Sequence, residues 1–206
     1  MLKKIQYISQ GDSPEQQLAN ISKALNAGCK WIQLRYKNKS IEEVRTLAKM
    51  VQKICRAYDA TFIINDHVQV ASEINADGVH LGLDDISVME AKAVLKNKII
   101  GGTANTLEDV LQRVNEKCDY IGLGPFRFTA TTEKLSPILG IEGYQEILKE
   151  LKNRNIDIPI YAIGGIEIED FEKLEQAGVY GVAVSGLITH HKNPEILFKP
   201  KEICNH

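Results

Sequence analysis

Trp31-Ile32-Gln33-Leu34-Arg35, Thr61-Phe62-Ile63-Ile64-Asn65 and Gly78-Val79-His80-Leu81 are three short apolar runs, and two longer stretches, residues 41–58 and 67–75, lie between them. The runs are rich in β-branched and aromatic side chains, which favour a pleated, buried strand. Within 41–58 the residues Ile41, Val44, Leu47, Ala48, Val51 and Ile54 recur at helical spacing, and Glu42 and Glu43 fall in the first turn. Acidic groups there are stabilised by the positive end of the helix dipole. Strand, helix and strand in units of this size predict parallel pairing through right-handed crossovers.

Working outward, the same alternation fills the chain. Further strands are predicted at Ile5–Ser9, Ile99–Gly102, Tyr120–Gly124, Pro159–Gly164 and Gly181–Ser185, with helices at 14–27, 87–96, 106–116, 142–154 and 167–177. Helix starts are marked by Ser13-Pro14, by Ser40 with Glu43, and by Thr106 with Asp109, each placing a side-chain acceptor over unpaired N–H groups. Gly28 after Ala27 and Gly178 after Ala177 mark helix ends. An open doubly wound sheet would carry a glycine-rich turn after its first strand, and Gln10-Gly11-Asp12-Ser13 does not supply one. The expected architecture is a single parallel (β/α)₈ TIM barrel spanning residues 1–206.

The chain has 206 residues, 44% hydrophobic and 25% charged, with a formal charge of −2, which is ordinary for a folded domain. That balance gives no reason to expect nucleic acid or a membrane as partner, but a local cationic cluster still suits anionic small molecules. Oligomeric state is left open, a homo-oligomer included. Cys29, Cys55, Cys118 and Cys204 show no metal-binding or C-x-x-C spacing and read as free thiols. With an N-terminus that leads straight into a strand and no bilayer-length apolar run, they lead us to expect a cytoplasmic protein.

In such a barrel the chemistry collects where strands end. At the second strand's end Gln33, Arg35 and Lys37 share one face, and two cations beside an amide suit phosphate oxygens as well as they suit a solvated surface. The third strand ends Asn65-Asp66, which either caps the next helix or offers a metal ligand. The fourth leads into Gly82-Leu83-Asp84-Asp85, so adjacent strand ends each present a carboxylate, a pattern that suits Mg²⁺. His80 reads as a hydrogen-bonded barrel histidine. Thr103 and Asn105 follow the Gly101-Gly102 pair and read as part of the turn after strand five. A long hydroxyl-rich connection runs from Gly124 to Gly140. Gly164-Gly165 after strand seven and Ser185-Gly186 after strand eight offer backbone N–H groups to a phosphate.

Together, Gln33-Leu34-Arg35-x-Lys37, Ile64-Asn65-Asp66, Ala76-Asp77-Gly78-Val79-His80-Leu81-Gly82-x-x-Asp85, Gly124-Pro125 with Thr129 and Thr131, and Ala162-Ile163-Gly164-Gly165-Ile166 resemble the thiamine-phosphate synthases, in order from about residue 5 to residue 188. The resemblance implies that 4-amino-2-methyl-5-pyrimidinylmethyl diphosphate is coupled to hydroxyethylthiazole phosphate, through a pyrimidine cation and with release of diphosphate. It places Gln33, Leu34, Arg35, Tyr36, Lys37, Asn65 and Thr103 at the pyrimidine diphosphate. Asp66 and Asp85 would hold Mg²⁺, and Thr129, Ala130, Thr131, Thr132, Gly165, Val184 and Ser185 would line the thiazole phosphate. Arg35, Lys37, Thr103 and Lys134 are the expected catalytic groups. Thr132 stands where the family carries a lysine, and Lys134 on the same loop is the expected replacement. Thr103 replaces a usual serine, Leu83 a common glutamine, and Asn105 a histidine found in many relatives. The rival readings are a thiazole tautomerase, a non-catalytic thiamine-precursor binder and an unrelated sugar-phosphate barrel. Asn105 cannot carry a proton for the first, the second has no need of a metal pair, and the third leaves that pair unexplained.

Overall fold

The computed structural model describes residues 2–128 and 137–199. In it eight strands close on themselves in chain order: β1 (Ile5–Ile8), β2 (Trp31–Leu34), β3 (Thr61–Asn65), β4 (Gly78–Leu81), β5 (Ile99–Ala104), β6 (Tyr120–Leu123), β7 (Ile160–Ile163) and β8 (Gly181–Val184). All pairings are parallel, and β1 closes on β8 with Ile5 opposite Val182 and Tyr7 opposite Val184. Helices α1 (Pro14–Asn26), α2 (Ile41–Ala57), α3 (Val68–Glu73), α4 (Val88–Val94), α5 (Leu107–Asn115), α6 (Gly140–Asn153), α7 (Phe171–Gln176) and α8 (Gly186–His190) follow the strands in turn. This is the predicted (β/α)₈ barrel. No helix among the described residues is long and apolar enough to cross a membrane.

Strand alternation creates two separate cores. Residues pointing outward, among them Ile32, Leu34, Phe62, Ile64, Val79, Ile100 and Ile121, pack under the helices. There they meet faces such as Val44, Leu47, Ala48, Val51 and Cys55 of α2. Residues pointing inward fill the barrel: Trp31, Ile63, Tyr120, Tyr161 and Ala183 form a second buried cluster. Trp31, Tyr120 and Tyr161 meet edge to face with centroids 5.0, 5.1 and 5.4 Å apart. Gly101 makes room for this plug, because a Cβ there would stand 2.1 Å from Cζ of Tyr120. Cys29, Cys55 and Cys118 are buried free thiols, and burial pushes Cys29 up to about 11.

The helix signals act as read. Ser13 accepts from the Gln16 N–H, and Ser40 and Thr106 form reciprocal capping boxes with Glu43 and Asp109. Gly28 and Gly178 take the positive φ that lets a helix end without a Cβ clash. Three expectations change. Strand five runs on to Ala104, so Thr103 lies in the strand and not in a loop. The stretch 167–177 divides into a 3-10 turn, Ile168–Asp170, and α7. Helix α8 has five residues, too few to show helical periodicity in sequence.

Candidate active site

At the carboxyl end of β2 the backbone of Arg35 is held from two sides. Its N–H donates to Ser9 Oγ at 3.0 Å and its carbonyl accepts from Gln17 Nε2 at 3.0 Å. Lys37 follows, its ammonium 3.7 Å from Asp66 Oδ2. Asp66 directly follows β3 with a φ of 65°, a left-handed conformation that few residues other than glycine, Asn and Asp adopt. Its N–H donates to the His80 carbonyl at 2.9 Å, locking this turn to β4. The residue before α3 is His67, and no side chain caps that helix, so capping does not account for Asp66.

Asp85 comes from the next unit. Its Oδ2 accepts the Gly82 N–H at 2.6 Å, closing the turn after β4. Burial, and then the hydrogen bond and charge of Asp85, raise the Asp66 carboxyl to about 6, while Lys37 and Arg35 pull it back down. Two carboxylates held this close share a proton or a cation. Among the described residues no group of three His, Cys, Asp or Glu side chains could hold a metal ion. Mg²⁺ asks for less: one or two carboxylates, with water and phosphate oxygens completing the shell. The Asp66–Asp85 pair beside Lys37 and Arg35 fits that requirement.

Below this mouth a chain of polar groups crosses the barrel. Gln33 Nε2 donates to Gln6 Oε1 at 2.9 Å, and Gln6 Nε2 donates to Tyr120 Oη at 3.2 Å. Tyr120 Oη lies 2.9 Å from His80 Nδ1, and His80 Nε2 lies 3.0 Å from Thr103 Oγ1. Gln6, Gln33, Tyr120 and His80 are all buried. Burial, aided by the Arg113 charge, lowers His80 to about 4 and keeps the ring neutral. Gln33 therefore sits one layer beneath the rim, with its amide engaged by Gln6.

Three residues support the rim, and two of them, Arg113 and Arg127, are not singled out by the sequence reading. Arg113 of α5 is buried. Its Nε donates to the Thr103 carbonyl at 3.1 Å, its Nη2 to the Gly82 carbonyl at 2.8 Å, and its Nη1 to Glu116 Oε2 at 2.9 Å. One guanidinium thus ties together the ends of β4 and β5. Its signal was a cation one helical turn after Val110, on the face that turns inward. Arg127 donates to the Gly165 carbonyl at 2.9 Å and forks onto the buried Asp170, which holds that carboxyl below the usual carboxylate range. A Cβ on Gly165 would stand 2.7 Å from Cβ of Arg127. Asn105 donates to the Gly124 carbonyl and so joins the ends of β5 and β6.

The remaining expected residues divide by face. Asn65 ends β3 on the inward side, and Gly165 borders the end of β7. Ser185 Oγ donates to Gln10 Oε1 at 3.3 Å, and Gln10 Nε2 lies 3.0 Å from His190 Nε2. The side chains of Leu34 and Val184, at outward-facing strand positions, and that of Tyr36, just past β2, pack in the outer core under the helices. Thr129, Ala130, Thr131, Thr132 and Lys134 lie outside the described residues.

A family profile, two sequence relatives and a solved structure agree on one family. The profile described as thiamine monophosphate synthase matches residues 6–188. The thiamine-phosphate synthase of Flavobacterium psychrophilum is 58% identical over 195 residues, covering 94% of this chain and 95% of the relative. That of Flavobacterium johnsoniae is 52% identical over 200 residues, covering 97% and 94%. The solved thiamine phosphate pyrophosphorylase from Pyrococcus furiosus superposes with a TM-score of 0.81 at 30% identity, covering 94% and 90%. The chain belongs to the thiamine monophosphate synthase family.

Proposed function

We propose that this barrel is a transferase that makes thiamine phosphate from 4-amino-2-methyl-5-pyrimidinylmethyl diphosphate and hydroxyethylthiazole phosphate. The observation that carries the reading is the meeting of Asp66 and Asp85 beside Lys37 and Arg35 at one side of the mouth. The four groups together match a diphosphate with its counter-ion. Arg35 forks onto two oxygens, and Lys37 adds a point charge. Asp66 and Asp85 would hold Mg²⁺, which when bound neutralises charge on the diphosphate.

The reaction needs little else from the protein. The bond between the pyrimidine methylene and the diphosphate oxygen breaks, and its electron pair leaves with the oxygen. The thiazole nitrogen then gives its lone pair to the methylene carbon, forming the new C–N bond. Arg35 and Lys37 stabilise the charge that grows on the leaving oxygen, and the Thr103 hydroxyl at the end of β5 supplies a further contact. Backbone around Gly165 and Ser185 is our choice for the thiazole phosphate, which would bring the two reactants together over the mouth. Asn105 donates its amide to Gly124 and has no proton to exchange, which weighs against tautomerase chemistry.

Incubation with both substrates and Mg²⁺ should yield thiamine phosphate and an equal amount of diphosphate, and EDTA should stop it. No product at saturating concentrations of both would refute the reading. Asp85→Ala should lower kcat/KM on the order of 10²–10³-fold. Unchanged turnover would remove Asp85 from the site.

A further inference from the structure

The polar chain beneath the mouth has a direction. The Gln6 oxygen accepts from Gln33, so Gln6 offers its nitrogen to Tyr120. Tyr120 Oη therefore accepts a hydrogen bond there, and its own hydrogen needs an acceptor. The ring is fully buried, out of reach of water, and His80 Nδ1 stands 2.9 Å away. An O–H donated to Nδ1 leaves that nitrogen without a proton. A neutral imidazole then carries its hydrogen on Nε2, which faces Thr103 Oγ1 at 3.0 Å. The Thr103 oxygen accepts from below, and its own hydrogen is free to turn toward the mouth. Two glycines make space for this line: a Cβ on Gly101 would strike the Tyr120 ring, and one on Gly122 would stand 3.1 Å from His80 Cε1.

We infer that Tyr120 and His80 are positioning residues, which fix His80 as the Nε2–H tautomer so that the Thr103 hydroxyl acts as a donor toward the departing diphosphate. The inference rests on the synthase reading of the mouth. It adds a mechanism by which residues that never touch substrate determine which way a hydroxyl points. A Thr103 hydroxyl turned down onto Nε2 would present a lone pair to an anion, the wrong polarity for the charge that develops on the leaving oxygen.

The test combines spectroscopy with kinetics. Two-bond ¹⁵N–¹H correlation spectra of the wild type, recorded without substrate, should show the His80 proton on Nε2. A proton on Nδ1 would overturn the inference. Tyr120→Phe keeps the ring against Trp31 and Tyr161 and removes only the hydroxyl, so the tautomer preference should be lost. Its kcat should fall about tenfold while KM for the pyrimidine diphosphate changes little, the pattern of an interaction made in the transition state. Wild-type kcat in this variant would overturn the relay. Thr103→Val should make the Tyr120→Phe effect vanish in the double variant, since the tyrosine acts through the threonine, and additive losses would contradict that. The spectra need no substrate and no variant. An inactive wild type with the Nε2–H tautomer would refute the synthase reading and leave the hydrogen-bond direction supported.

Discussion

The two ends of this barrel's interior are built from the same inward-facing positions and meet opposite demands. At the floor Trp31, Tyr161, Ile63 and Ala183 are sealed from water, and the Trp31 indole N–H finds no partner among the described residues. At the mouth Arg35, Lys37, Asp66 and Asp85 hold one another loosely, with the Lys37 and Asp66 side chains 40% and 24% exposed. Trp31 opens β2 and Arg35 follows its last residue, at one end a plug and at the other a ligand-facing cation. Tyr120 belongs to both regions: its ring closes the floor and its hydroxyl enters the polar chain. The lesson is a division of labour along each strand. The first residues supply stability by volume, and the last supply chemistry by charge.

The largest expected effect would come from breaking the floor. Trp31→Ala deletes a fully buried indole from an aromatic triangle and should cost about 4 kcal/mol, lowering Tm by roughly 10 °C. Turnover per folded molecule, measured well below that Tm, should be retained. A parallel fall in kcat would show that floor and mouth are not separable.

A smaller effect sharpens the comparison at its middle layer. His80 ordinarily titrates near 6.5 and is lowered to about 4 in the fold, chiefly by burial. Below pH 6.5 the unfolded chain takes up a proton that the folded chain refuses, so stability falls as pH drops from about 6.5 toward 4 and is flat above that window. The loss reaches up to about 3 kcal/mol at 1.36 kcal/mol per unit. Asp66, raised to about 6, contributes with the opposite sign over the lower part of the window. The difference in denaturation midpoint between wild type and His80→Gln at each pH isolates the histidine. It should widen in the wild type's favour as pH rises from 4 to 6.5, and a constant difference would mean that His80 titrates normally.

Much of this was legible in the sequence for a physical reason. A strand buried on both faces must be apolar along its length, so Ile63-Ile64 and Val79 announce strands whatever surrounds them. Charged residues directly after such runs then mark the rim, which is how Arg35, Lys37, Asp66 and Asp85 came into view. The polar relay was hidden because its links join residues 114 and 40 positions apart, and no local pattern encodes them. Strand five reads in sequence as ending at Gly102, whereas it runs on to Ala104, and the missing side chain of Gly101 within it admits the Tyr120 ring. That misreading placed Thr103 in a loop. Arg113 escaped notice because a buried arginine on a helix face looks in sequence like any surface cation.

The most direct test is calorimetric titration of inorganic diphosphate into the protein with Mg²⁺, in EDTA, and into Asp66→Asn with Mg²⁺. Tight binding in the first case and at least about tenfold weaker binding in the other two is the result expected of two carboxylates holding a metal against Arg35 and Lys37. Equal affinity in all three would contradict it.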